Sequence, residues 1–194
     1  MNRTVSFSLV LASLLLGVFF LAGPVAGVVL CDPKNLEGEI AAGPPEDLLA
    51  SIQVPGDAMI RLRGEFGKPA GRSLLAFDDT RGEVQYLWPK KKKATLIVIS
   101  TYEKDPAGKI VDGEVVSAEI SAPPDHQSTW ETGRQVGLGA SRRKVENIYG
   151  PIYTAEEVDG QQRLTYCFEN GNTLEFTLNA AGNVERIRLA GPPS

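Results

Sequence analysis

The stretch that decides the fold is GASRRKVENIYG (139–150), followed by RLTYCF (163–168), NTLEFTL (172–178) and NVERIRL (183–189). In the first segment Val145 and Tyr149 recur at helical spacing, and Ser141 is a residue type that caps helix starts. The three later segments alternate apolar and polar residues, which is typical of strands with one buried face. The stretch therefore predicts one short helix followed by three strands.

The same order of segments is found earlier in the chain, over residues 56–120. Gly139 and Gly150 follow Gly56 and Gly67 at one constant offset, so the two helices have the same predicted length. Both halves also end in a Pro-Pro pair. These matches favour an internal duplication, and the alternative is a chance alignment helped by two length changes in loops.

We predict an α+β protein of two tandem helix-plus-antiparallel-sheet modules, whose sheets could join edge to edge into one curved surface. The predicted segments are a signal peptide over 1–27, an exposed lead-in over 28–46, a first helix-sheet module over 47–124, a connector over 125–138 and a second helix-sheet module over 139–194.

The N-terminus has the pattern of a secretory signal peptide. Arg3 is the only charged residue before position 32, residues 5–21 are mostly apolar, and a Gly-Pro pair precedes small residues that end at Gly27. Cleavage after Gly27 predicts an exported chain, periplasmic or secreted. The alternative is a retained N-terminal membrane anchor, because about 20 apolar residues can span a bilayer.

Two cysteines occur, Cys31 and Cys167. In an exported protein they could form one disulfide that ties the mature N-terminus to the second half. Two unpaired thiols are the alternative. A lipid on Cys31 is a third possibility, but it is disfavoured by the bulky Leu30 immediately before it.

Composition and motifs argue against several function classes. The 20 basic and 24 acidic residues give a net charge of −4, which provides no basic face for nucleic acid. His126 is the only histidine, and no nucleophile elbow, phosphate-binding loop or metal-ligand cluster occurs in the sequence. We predict no catalytic activity, no metal and no cofactor.

Alternation divides the predicted strands into two faces. Leu87, Ile97 and Ile99 share a face that should be polar, and they form an apolar patch there. We interpret this patch as a protein-docking surface. The alternative is that it is covered, either by the N-terminal segment tied through Cys31 or by the connector around Trp130.

The opposite face is the predicted core under the helices, whereas the patch-bearing face of the second half is predicted to be solvated. The core set is Val84, Tyr86, Trp88, Leu96, Val98, Val116, Ala118, Ile120, Leu164, Tyr166, Phe168, Leu174, Phe176, Leu178, Ile187 and Leu189. The solvated set is Arg163, Thr165, Cys167, Glu175, Thr177, Arg186 and Arg188.

Charged runs lie in predicted loops. Lys90 to Lys93 could touch anionic lipid, but such a run more often keeps a hairpin turn soluble. The acidic pairs Asp78-Asp79 and Glu156-Glu157 are interpreted as solvated loop residues, because no further ligands follow at a fixed spacing.

The segment GASRRKVENIYGPI, a strand ending in an aromatic residue, TLEF and the final NVERIRL resemble the SmpA/OmlA (BamE-type) lipoproteins and the related β-lactamase-inhibitory-protein fold. The resemblance implies a scaffold that binds other proteins through its sheet, without cofactor or catalysis. Two departures limit it. Gly150-Pro151 stands where the family often has Gly-x-Pro, and the paired cysteines of each inhibitory module are absent, so β-lactamase binding is not carried over.

The function we expect is that of an exported cell-envelope protein-interaction module without catalytic activity. Its partner would be a protein, and the N-terminus could add membrane association. The alternative is a binding domain for a small envelope ligand, such as a lipid or glycan fragment. An enzyme is the least favoured reading.

Overall fold

A computed structural model describes residues 41, 43–90, 94–123 and 128–192. Within them the chain forms ten strands and two helices. In chain order these are β1 (Leu48–Leu49), β2 (Ile52–Gln53), α1 (Met59–Phe66), β3 (Gly71–Ala76), β4 (Arg81–Lys90), β5 (Ala94–Lys104), β6 (Ile110–Ser121), α2 (Arg142–Tyr149), β7 (Thr154–Val158), β8 (Gln161–Cys167), β9 (Thr173–Leu178) and β10 (Val184–Ala190).

Eight strands form one antiparallel sheet in the order β3-β4-β5-β6-β10-β9-β8-β7. Each pairs with a neighbour in sequence except at the centre, where β10 pairs with β6 through a register that includes Ile187 opposite Ile120. The outer edges of the sheet are therefore β3 and β7. The short strands β1 and β2 form a separate two-stranded sheet.

The prediction of an α+β protein built from two helix-plus-sheet modules is wrong. The described chain is mostly β, with a single large sheet rather than two, and its two helices have only eight residues each. The physical reason is the continuous hydrogen bonding between β6 and β10, which leaves no sheet edge between the halves. Sequence periodicity reports each strand's buried face but not which strands pair across a long connection.

Both helices lie at the predicted positions and cover the same face of the sheet. The Ser141 hydroxyl accepts from the Lys144 amide at 3.3 Å and caps α2 as predicted. Helix α2 buries Val145 and Tyr149 against the sheet, and α1 buries Met59 and Leu62. Amphipathic packing on the sheet, rather than helix length, stabilises such short helices.

The predicted core is buried at every position of the set except Val116, which is half-buried. Its neighbour Val115 is fully buried instead. The register between β5 and β6 shifts between Ile99 and Ser100 and again between Ser100 and Tyr102. Such an irregularity changes which residues of the strand face inward, and this explains the exchange of Val116 for Val115.

Edge strands β3 and β7 were not among the predicted strands. Glu156 and Glu157, predicted as loop residues, lie within β7. Asp78 does lie in a turn, between β3 and β4, where its carboxylate accepts from the amides of Thr80 and Arg81 at 2.8 and 3.0 Å. Strands that are paired on one side only bury little, and so their sequences carry a weak periodic signal.

Among the described residues, no helix is long and apolar enough to cross a membrane. The predicted leader over 1–27 and most of the lead-in lie outside them. Two lead-in residues that are described, Ala41 and Glu46, are each only 3% exposed. Residues 43–45 between them are exposed, as predicted for the lead-in, so the buried positions in this described part are Ala41 and Glu46.

Candidate functional site: the helix-free face of the sheet

The face of the sheet opposite the two helices carries three parallel rows of side chains, and we call it the helix-free face. Its middle row crosses all eight strands, because each residue lies opposite the next in the strand register. From β3 to β7 this row contains Gly71, Leu87, Ile97, Glu119, Arg188, Glu175, Thr165 and Thr154. An apolar section therefore continues directly into a charged one.

The apolar section lies on β4 and β5. Leu87 is directly opposite Ile97, and Ile99 follows two residues along the same face, so the three residues predicted as a patch are adjacent. All three are half-buried, which means that part of each side chain still meets solvent. Gly71, next to Leu87 in the row, adds no side chain of its own, so Leu87 is not covered from that edge.

The charged section lies on β6, β10, β9 and β8. Each arginine reaches a residue diagonal to it across the strands. Arg163 lies 3.7 Å from the Glu175 carboxylate and Arg186 lies 3.5 Å from that of Glu119. Alternating opposite charges on neighbouring strands stabilise the sheet modestly and fix where each guanidinium lies.

Part of the charged section was predicted to be solvated, and that prediction is wrong for four residues. Thr165, Cys167, Glu175 and Thr177 are each 7% exposed or less. Arg163, which pairs with Glu175, has a side chain that is itself only 16% exposed, so this half of the face meets little solvent. Arg186, whose side chain is 48% exposed, is the part of the section that an approaching molecule meets first.

The Glu119 carboxyl is partly buried, and burial disfavours its charged form. Burial raises the pKa of its carboxyl above the usual 4.5, against the opposing attraction of Arg186 and Arg188. Because the pKa of this carboxyl is higher in the folded protein than in the unfolded chain, the folded protein binds a proton more tightly at this group. Stability contributed by this group is thus present at low pH and lost as the pH rises through the raised pKa.

Glu119→Gln is accordingly expected to stabilise the protein at pH 7. At pH 4 the native carboxyl is already largely protonated, so the gain should vanish. Urea unfolding of both proteins at the two pH values measures this. A variant less stable than the native protein at pH 7 would show that the attraction of Arg186 outweighs the effect of burial.

Cys167 ends β8 on the helix-free face and is disulfide-bonded. Its carbonyl accepts from the amide of Ala41 at 2.9 Å, which places the chain that leads in from the N-terminus beside this strand. Cys31 lies outside the described residues, and its predicted pairing with Cys167 stays a prediction. The alternative that the segment containing Cys31 covers the patch likewise stays a prediction.

The other proposed cover of the patch is ruled out by position. The ring of Trp130 packs edge-on against the ring of Phe66 in α1, on the helix-bearing side of the sheet. The two ring centres are 6.2 Å apart. The connector at Trp130 therefore does not cover Leu87, Ile97 and Ile99. His126 and three of the four lysines, residues 91–93, lie outside the described residues.

Sequence reasoning missed a buried polar cluster around Glu46. The Glu46 carboxylate accepts from the backbone amides of Leu48, Gly133 and Arg134 at 3.2 to 3.3 Å, and from the Tyr149 hydroxyl at 2.6 Å. Burial, reinforced by this carboxylate, raises the pKa of Tyr149. The sequence around Glu46 does not indicate that its side chain is buried, because all its hydrogen-bond partners except Leu48 lie far away in the sequence.

The Glu46 cluster is enclosed and fully hydrogen-bonded, which fits a structural role rather than catalysis. Its partners join the lead-in, the connector and α2 into one unit. Elsewhere in the part of the chain that the structure describes, no group of three or more His, Cys, Asp or Glu residues could hold a metal ion.

Comparison with known proteins adds little to this description. No family model and no curated protein matches the sequence. One solved structure is similar to the chain, that of the DUF4309 family protein YjgB from Bacillus subtilis. It is 11% identical with a TM-score of 0.44, over 76% of this chain and 86% of that one.

Proposed function

We propose that the protein is an exported cell-envelope module that binds another protein on its helix-free face and catalyses no reaction. The observation that carries the proposal is the middle row, in which the half-buried Leu87 and Ile97 run directly into an ion-pair network. A sheet face that merely contacts water has no need of adjacent large apolar side chains.

The size of the face suits a protein partner. The part of the face that stays open, from β3 to β10, covers five strands, or about 19 Å at about 4.8 Å spacing, which suits the centre of a small protein interface. An apolar centre flanked by arginine is the composition enriched in interface hot spots. We therefore expect a partner that places apolar side chains on Ile97 and Ile99 and a carboxylate near the half-exposed Arg186.

Capture from an envelope extract by the immobilised chain, begun at residue 28, tests the proposal. Ile97→Thr combined with Ile99→Thr should abolish capture of the partner, because each threonine exposes a hydroxyl where an apolar contact is needed. The matched control is Ile60→Thr on α1, whose side chain is 83% exposed on the other side of the sheet and should bind normally.

Thermal unfolding of the same variants separates binding from folding. The double variant should unfold within a few degrees of the native protein, since its side chains are only half-buried. Arg186→Glu provides a second variant that removes no apolar packing, and it should also weaken capture. Unaltered capture by both variants would refute the docking surface.

The proposed export rests on the leader and is tested separately. The mass of the mature N-terminus distinguishes cleavage after Gly27, a lipid on Cys31 and an intact leader. We expect a free N-terminus at Val28. A mass that includes residues 1–27 would support the retained anchor instead.

One observation favours the alternative of a small envelope ligand. A cleft of about 370 Å³ lies at the C-terminal end of α1, lined by Lys68, Ala70 and Pro89 together with the rings of Phe66, Trp88 and Trp130. Because the chain has only two tryptophans and both line this cleft, their fluorescence reports on it alone. Unchanged fluorescence on titration with phospholipid vesicles and with peptidoglycan fragments would exclude this second function for those two ligand types.

A further inference from the structure

Strand β3 is an edge of the sheet that exposes large apolar side chains. Leu74 is 53% exposed and Leu75 is 61% exposed, and Phe77 just after the strand is 56% exposed. The strand pairs with β4 on one side, and on its other side no described strand pairs with it. Exposed, apolar edges of this kind readily pair with another strand.

The backbone of β3 is also free to pair. The amide of Phe77 donates to the carbonyl of Arg81 at 3.0 Å, so the odd-numbered residues of this register bond to β4. In an antiparallel ladder the alternate residues point their amides and carbonyls the other way. Arg72, Leu74 and Ala76 therefore direct these groups toward the open edge.

The opposite edge of the sheet is protected in a way that β3 is not. Strand β7 carries Glu156 and Glu157 side by side, and charges on an edge strand discourage pairing with another chain. The two edges belong to one sheet and meet the same solvent. Strand β3 has one charged residue, Arg72, beside exposed Leu74 and Leu75, so its edge is less protected than that of β7.

We propose that β3 pairs antiparallel with β3 of a second copy of this chain, with the twofold axis at Leu75, to form one continuous sheet of both copies. In this register Leu75 lies opposite its own counterpart and Leu74 lies opposite Ala76. Arg72 then lies near Asp78 in the turn that follows β3 of the other copy, because each residue is three positions from Leu75.

Charge complementarity is the reason for choosing a second copy as the occupant. Among the described residues Arg72 makes no ion pair, and its guanidinium lies 5.8 Å from the centre of the Tyr86 ring. Hydrogen bonds from Thr80 and Arg81 lower the pKa of Asp78 and keep it an anion. Arg81 already forms an ion pair with Asp78 at 2.8 Å, so Arg72 of a second copy would be the second cation beside this carboxylate. A twofold axis forms the Arg72–Asp78 pair twice, whereas a foreign strand would have to supply both charges itself.

This pairing is independent of the proposed function, but it would extend the surface used by that function. Leu75 lies opposite Glu83 in β4, and Glu83 points to the same side as Leu87. The helix-free faces of the two copies would therefore be continuous across the new pair of strands.

Sedimentation velocity over a wide concentration range tests the dimer on the chain begun at residue 28. We expect the native chain to reach twice the monomer mass, and Leu75→Lys to remain a monomer because two cations would face each other across the axis. Ile60→Lys, also an exposed apolar residue but on α1, should dimerise like the native chain. Circular dichroism should show that all three are folded.

Cysteine substitution tests the register. Directly opposed residues of a non-hydrogen-bonded pair are close enough for a disulfide, and diagonal ones are farther apart. Leu75→Cys should thus form a covalent dimer on mild oxidation, and Leu74→Cys should do so far more slowly. A native chain that stays monomeric at every concentration, including one that instead captures a strand of another protein, would overturn the proposal. So would dimers that Leu75→Lys does not weaken, or that cross-link equally through both cysteines.

Discussion

Replacing Glu46 with alanine is expected to lower the free energy of unfolding by about 3 kcal/mol. The substitution removes the acceptor for the Tyr149 hydroxyl and for the amides of Leu48, Gly133 and Arg134. The Gly133 amide and the Tyr149 hydroxyl keep second acceptors on Leu48 and Thr132. The amides of Leu48 and Arg134 lose this acceptor at a site that water reaches poorly, since Glu46 is 3% exposed. Urea unfolding followed by circular dichroism measures the loss.

Two comparisons show whether the loss comes from this cluster. Glu65→Ala removes a carboxylate whose side chain is 38% exposed and pairs with Arg61 on α1, and it should change stability by less than about 0.5 kcal/mol. Glu46→Gln keeps one acceptor oxygen and should fall between the two. A Glu46→Ala variant as stable as Glu65→Ala would show that the cluster does not hold the segments together.

Phe176→Ala is expected to have the largest effect of any single truncation considered, a loss of about 4 kcal/mol. Phe176 is fully buried, and its ring centre lies 5.5 Å from that of Tyr149 and 6.0 Å from that of Tyr166. Removing the ring leaves a cavity under α2 that the surrounding aromatic rings cannot fill without moving off their rotamers.

Phe77→Ala is the matched control for that prediction. The same chemical group is removed, but Phe77 is 56% exposed beside the edge strand, and the expected loss is below about 1 kcal/mol. Thermal or urea unfolding of the two variants compares them directly. Similar losses for both would contradict the core described here.

The elements that bury a continuous face were predictable from the sequence. Helix α2 and strands β8 to β10 carry clear periods, and the inward residues of the set, from Val84 to Leu189, are buried apart from Val116. The same alternation correctly placed Leu87, Ile97 and Ile99 together on the other face. The alternation of apolar and polar residues along a strand is enough to show which of its faces lies against the core.

Features that depend on pairing between distant segments were not predictable. The sequence allowed the two halves to join edge to edge, but it did not show that β6 and β10 are the strands that pair. The irregularity at Val116 and the hydrogen bond from Tyr149 to Glu46 likewise depend on residues far apart in sequence. Edge strand β3 lacks a buried face and is not among the strands that the sequence predicts. A single sequence contains the side chains for such contacts but not their partners.

The role of the helix-free face can be measured most directly by placing a photo-reactive amino acid at position 97 of the full-length chain and irradiating living cells. The same amino acid at position 60, on the exposed side of α1, provides the comparison. The proposal predicts a discrete covalent adduct with one protein from position 97 and none from position 60. Equal labelling from both positions, or an adduct from position 60 alone, would contradict it.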